Sequence, residues 1–161
     1  MDFELVDIIL RLGAATLSGI VIGINRDMAG KPIGMRTLGL VALGCAVVSL
    51  ATIQYHDLAA HPDALSRIVQ GIIQGLMGGI GFIGAGVILR DARTGTVEGL
   101  TTAATVWVAA GFGIACALAA WKMLAVATTL TLLLLFLGAV TSRLFPNSAE
   151  DKQRAAPRKR D

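Results

Sequence analysis

Two short stretches of the chain concentrate the groups able to do chemistry. One reads Asn25-Arg26-Asp27 and is followed by Gly34-Met35-Arg36-Thr37. The other reads Arg90-Asp91 and is followed by Glu98-Gly99-Leu100-Thr101-Thr102. Both pass from an Arg-Asp pair to glycine, an apolar residue and a threonine. A guanidinium group binds carboxylate or phosphate oxygens through two parallel hydrogen bonds. If the two stretches meet, they form one polar site able to dock an anion or a charged partner. The plainer alternative is that these residues face water and phosphate headgroups. The repeated pattern also raises a parallel internal repeat about an axis normal to a membrane. Against it stands the general tendency of helices leaving on the inner side to end in a positive residue.

Arg11 and Asp7 are a second candidate pair. They lie four residues apart, on one face of a helix. An arginine inside an apolar segment either snorkels to the interface or faces the bundle interior as a functional charge. His56, Asp57, His61 and Asp63 crowd one loop but match no established metal-ligand spacing. The chain has no Walker motif, HExxH or nucleophile elbow. The stretch Gly79-Ile80-Gly81-Phe82-Ile83-Gly84 has no strand before it, so it is no dinucleotide loop. No enzyme activity, cofactor, bound metal or nucleic-acid partner is expected. Cys45 and Cys116 sit in apolar runs and read as small buried hydrophobes.

The elements that position these groups follow from composition. Of 161 residues, 55% are hydrophobic and only 16% charged. A soluble domain carries about 25% charged residues, so most of this surface must face lipid. A spanning helix needs roughly 20 apolar residues, and five segments qualify. They run from Leu5 to Ile24, Thr37 to Gln54, Ile68 to Leu89, Leu100 to Ala119 and Trp121 to Thr141. The last two are separated by Ala120 alone and should form a tight hairpin. The first residues are acidic, unlike a cleavable signal peptide, so the first helix is expected to be retained. Eleven of the fourteen Lys and Arg residues fall in the first and third loops and the C-terminal tail. The positive-inside rule then places the N-terminus outside and the C-terminus in the cytoplasm. The reading is an all-α, five-helix membrane bundle over residues 1–145. A Pro-, Ala- and charge-rich tail at 146–161 should be disordered and either anchors the topology or touches anionic lipid.

The third helix carries Gly71, Gly75, Gly78, Gly79, Gly81, Gly84 and Gly86. Glycines spaced by four share a face, as in small-xxx-small packing. They point to close helix approach, or to a broken helix with its freed backbone facing a cavity. Gln70/Gln74 and Thr101/Thr105 form polar stripes at the same spacing. They read first as interhelical hydrogen-bonding groups and second as a polar path.

The blocks Gly79-Ile80-Gly81-Phe82-Ile83-Gly84-Ala85-Gly86-Val87-Ile88 and Gly99-Leu100-Thr101-Thr102-Ala103-Ala104-Thr105-Val106-Trp107 resemble the MgtC/SapB family. Arg11-Leu12, Gly19, Gly23, Arg26 and Gly34-Met35-Arg36-Thr37, leading to Leu40-Val41-Ala42-Leu43-Gly44, extend the resemblance to about Arg11–Ala119. It implies a multi-pass protein of the bacterial inner membrane. It further implies a link to growth in low magnesium and to survival in macrophages, and in some members to restraint of the F-type ATP synthase. Members are also labelled magnesium transporters. The functional arginines carried by the resemblance are Arg26 and Arg36. Where the family commonly has Glu-Arg-Glu, this chain has Asn25-Arg26-Asp27, so the first acidic group is missing. Several members carry a folded cytosolic C-terminal domain; with the disordered tail expected here, regulation through such a domain is not expected.

Two functional classes follow. One is a regulator that does not transport and binds a membrane-protein partner, or a second copy of itself. The other is an ion transporter or channel. A divalent-cation path calls for acidic groups at membrane depth. Asp7 is the only carboxylate inside the five segments, which favours the regulator. The orientation is directly testable. Reporter fusions at Lys31, Arg93 and the tail should read cytoplasmic and one near His61 outside, and a tail reading outside would refute the assignment.

Overall fold

A computed structural model describes residues 4–54, 62–90 and 97–144. Five helices dominate it: α1 (Leu5–Met28), α2 (Met35–Ile53), α3 (Pro62–Val87), α4 (Leu100–Ala117) and α5 (Trp121–Leu144). Each is long and apolar enough to cross a membrane. At about 1.5 Å per residue they span roughly 27–39 Å, against a hydrocarbon core of about 30 Å. The chain is thus a multi-pass membrane protein. Its tail and its His56/His61 loop lie outside the described residues, as do Asp91 and Arg93.

The helix ends differ from the sequence expectation for local reasons. The first helix continues through the polar Asn25-Arg26-Asp27 to Met28. It stops where Gly30 takes a φ of 63°. Lys31 N–H then reaches Arg26 O at 3.1 Å and Gly30 N–H reaches Asp27 O at 3.0 Å. This is the Schellman closure that glycine permits. The C-terminus of α4 closes in the same way. Ala120 N–H bonds Ala115 O at 2.9 Å and Ala119 N–H bonds Cys116 O at 3.0 Å. Here Ala119 holds φ 52°, a conformation that costs a residue with a Cβ about 1 kcal/mol. The connection to α5 is therefore short, as expected. The third helix starts at Pro62 rather than Ile68; proline suits the first turn, where its missing N–H is not needed.

A two-stranded ribbon between α3 and α4 departs from the all-helical expectation. β1 (Leu89–Arg90) pairs antiparallel with β2 (Val97–Glu98), Leu89 opposite Glu98 and Arg90 opposite Val97. Each strand has only two residues, too few for alternation to be visible in sequence.

α4 is the centre of the bundle. It packs against α1, α2 and α3, while α5 touches α4 and α1 only lightly. Val106, Ala109, Ala110, Cys116 and Ala117 of α4 are fully buried. α1 and α2 pair most extensively. Within a bilayer there is little hydrophobic drive between helices, so small residues that let backbones approach decide the packing. Three glycines do this. A Cβ on Gly19 would overlap the Leu38 carbonyl, one on Gly23 would overlap the Met35 backbone, and one on Gly113 would overlap the Ala42 carbonyl.

The glycines of α3 correct the expectation. That helix is continuous from Pro62 to Val87, with no break. A Cβ on Gly71, Gly75, Gly78, Gly79, Gly81 or Gly86 would meet nothing within 4 Å. Only at Gly84 would an added Cβ meet a neighbour, Ala103 Cβ at 3.6 Å. α3 turns Ile80, Leu76, Met77 and Val87 into the core instead, and most of its glycines face away. The close-approach glycines of the fold sit on α1 and α4.

A measurable contrast follows. Gly23→Leu should destabilise the protein in detergent by more than the roughly 1–3 kcal/mol typical of overpacking, because the obstacle is backbone. Gly79→Leu should leave thermal stability nearly unchanged. Equal loss in both variants would contradict this packing.

Candidate functional site

Two arginines fasten α1 to α4, one at each end. Arg26 stands in the last turn of α1 and is 2% exposed. Its Nη2 donates to the Thr102 hydroxyl in the first turn of α4. Thr102 is itself buried, and Thr105 Oγ1 donates to the Thr102 carbonyl at 2.8 Å. At the other end, Arg11 Nη1 donates to the Ala117 carbonyl at 2.6 Å. That carbonyl belongs to the last turn of α4, where no intrahelical donor remains and a cation is favoured. Arg11 Nε also binds Asp7 Oδ2 at 2.7 Å. Fifteen residues separate Arg11 from Arg26, and fifteen separate Thr102 from Ala117. The two contacts therefore fix one antiparallel register over about 22 Å.

Asp27 adds a third tie at the Arg26 end. Met35 N–H donates to Asp27 Oδ2 at 3.0 Å. The carboxylate caps the start of α2, a place where negative charge suits the helix dipole. A Cβ on Gly34 would collide with this carboxylate, so glycine at that position makes the approach possible.

The expected cluster is thus partly assembled. Arg26, Asp27 and Thr102 come together where α1, α2 and α4 meet. Arg36, Thr37, Thr101 and Glu98 are exposed at the same helix ends. Gly99, at φ 87°, leads from β2 into α4, and a Cβ there would overlap the Val87 carbonyl. This close turn brings the end of α3 beside the start of α4. The backbone of Arg90 lies in β1; Asp91 is outside the described residues. Arg11 and Asp7 do not join the cluster, since they sit at the opposite end of α1. The partner of Arg11, a backbone carbonyl, has no sequence signature and could not be named from sequence. Buried Thr105 was legible only as one member of a polar stripe.

The geometry separates two kinds of arginine. Arg26 is enclosed and bonded to Thr102, so it holds the bundle together. Arg36 is exposed at the N-terminus of α2 and is free to meet something outside the chain. Removing the acceptor with Thr102→Val strands a buried guanidinium N–H and should cost about 1–3 kcal/mol. Arg36→Ala should change stability by less than about 0.5 kcal/mol. Thermal melts of the two variants in one detergent would check this, and similar shifts would remove the distinction.

The sequence as a whole is similar to those of known proteins. The model of the MgtC family matches residues 12–144. Protein SrpB of Synechococcus elongatus is 44% identical over 133 residues, covering 78% of this chain and 71% of that protein. Protein SapB of Bacillus subtilis is 36% identical over 151 residues, 91% of this chain and 63% of the relative. Protein MgtC of Salmonella typhimurium is 40% identical over 149 residues, 91% of this chain and 60% of the relative. The chain thus spans less than two thirds of the SapB and MgtC proteins it matches. No solved structure matches it. The family match takes in most of α1 and all of α2, α3, α4 and α5, and the chain belongs to the MgtC family.

Proposed function

We propose that this protein is a regulator in the bacterial inner membrane that transports no ion and acts on a membrane-protein partner. Its setting is growth in low magnesium and survival inside host cells. The partner that the family resemblance favours is the membrane sector of the F-type ATP synthase. The N-terminus lies outside and the Arg26 end faces the cytoplasm, so the partner meets Arg36, Thr101 and Glu98 there.

One observation carries this reading. Asp63 precedes the span of α3 that begins at Ser66, and the two carboxylates within the apolar spans are already held by protein donors. Asp7 is paired with Arg11, and Asp27 caps α2 through Met35 N–H. A dehydrated divalent cation needs several oxygen ligands, carboxylates among them. Two carboxylates committed at opposite ends of one helix do not line a path through the bundle. The exposed Arg36, by contrast, stands ready to form charge-assisted bonds with an acidic partner.

The test has two arms. Purified protein in liposomes loaded with a magnesium-sensitive dye should pass no more Mg²⁺ than protein-free liposomes. In inverted membrane vesicles, the protein should lower ATP-driven proton pumping, and Arg36→Ala should relieve that effect while still reaching the membrane. Protein-dependent magnesium flux, or pumping indifferent to the protein, would overturn the reading.

A further inference from the structure

Asp27 stands where its own helix does not favour it. It lies in the last turn of α1, and a carboxylate there opposes the negative end of the helix dipole. Its use is in the next helix. The first intrahelical bond of α2 runs from Leu38 N–H to Gly34 O, at 3.1 Å. The N–H groups of Met35, Arg36 and Thr37 precede it and have no acceptor within the helix. The N-cap residue, Gly34, has no side chain to supply one. Asp27 Oδ2, eight residues back along the chain, accepts from Met35 N–H at 3.0 Å. The cap of α2 is thus imported from α1.

Gly34 is the second observation. Its φ is −112°, on the side of backbone space that any residue adopts. Its conformation therefore does not call for glycine. Asp27 does: the three atoms nearest to an added Cβ all belong to the Asp27 carboxylate, and the Cβ would overlap them. The surroundings of this contact are fixed. Ile33, just before the N-cap, and Leu38, the fourth residue of α2, are buried in one core cluster, the placement of a hydrophobic staple. Arg26, next to Asp27, is bonded to Thr102 of α4. The turn held between these anchors carries the exposed Arg36.

We propose that Asp27 is the positioning residue for Arg36, and that position 34 is glycine in order to admit its carboxylate. Helix ends fray, and a frayed first turn spreads Arg36 over many positions. A partner then has to order that turn on binding, which weakens association. With Asp27 in place the turn is formed beforehand. The Arg36 guanidinium then starts from a backbone tied to α1 and, through Arg26, to α4. The bond needs an acceptor oxygen at residue 27; it does not need the charge. That Arg36 meets a membrane-protein partner rests on the regulatory reading. That Asp27 holds the turn beneath Arg36 stands apart from it.

Two measurements on the full chain test the parts separately. Amide hydrogen exchange at Met35, followed by NMR in detergent, reads the turn with no partner present. Asp27→Ala and Gly34→Ala should each speed that exchange about fivefold, the factor that goes with loss of a typical cap. Asp27→Asn keeps a side-chain oxygen that accepts and should stay within about twofold of the unsubstituted chain. In an Asp27→Ala background, Gly34→Ala should add little, because the obstacle is gone. Exchange indifferent to Asp27→Ala, Asp27→Asn behaving like Asp27→Ala, or a full added effect of Gly34→Ala in that background overturns the proposal. The second measurement is the dose of protein that halves ATP-driven proton pumping in inverted membrane vesicles. Asp27→Ala should raise it about fivefold, and Asp27→Asn should restore it. At doses where the Arg36→Ala variant still inhibits measurably, adding Asp27→Ala should shift the curve no further, because two residues acting through one contact are not additive. A full further shift would mean that Asp27 acts without Arg36 and would overturn the positioning role. Pumping indifferent to the unsubstituted chain overturns the regulatory reading and the role of Arg36 with it, while the exchange result decides the cap by itself.

Discussion

The register between α1 and α4 is the constraint on which the rest of the structure depends. Helices in lipid gain little from hiding apolar surface against one another, because lipid tails are equally apolar. What remains is close packing and hydrogen bonding. Arg11 and Arg26 provide directional bonds at the two ends of α4, to the Ala117 carbonyl and the Thr102 hydroxyl. Between them, fully buried Ala109 and Ala110 keep α4 narrow. α2 then settles into the same groove through Gly19, Gly23 and Gly113. α3 and α5 join from the outside, and α5 buries none of its spanning residues.

The same register decides which polar groups are available for recognition. Because Arg26 is drawn under α4, it is nearly sealed from the surroundings at 2% exposure. Asp27, one residue on, turns to the start of α2 and is used there. Their neighbours Arg36, Thr101 and Glu98 keep their exposure. A set of residues that looks uniform along the chain is thereby divided into those that hold the helices and those that face outward. Under the proposed function, recognition at this end of the bundle falls to the second group, with the first keeping it in shape.

Membrane character, helix number and the positions of the spans were legible in composition and in apolar runs, since lipid imposes both length and polarity on each helix. The Arg-Asp and Gly-x-x-Thr stretches were legible as a candidate polar end, and the structure brings Arg26, Asp27 and Thr102 together there. The role of the glycines was not legible. Gly23 and Gly79 look alike in sequence, yet one presses on the Met35 backbone and the other opens outward. Spacing identifies a face of a helix but not what the face meets. That depends on how α3 rotates against α4, which Ile80, Leu76, Met77 and Val87 settle by filling the core. The partner of Arg11 was hidden for a related reason, because every residue has a backbone carbonyl and only the end of α4 leaves one unsatisfied within reach. The sequence by itself determined how many helices cross the membrane and which residues are polar within them. Tertiary structure decided which of those groups are consumed in holding the bundle, because that follows from distances between helices far apart in the chain.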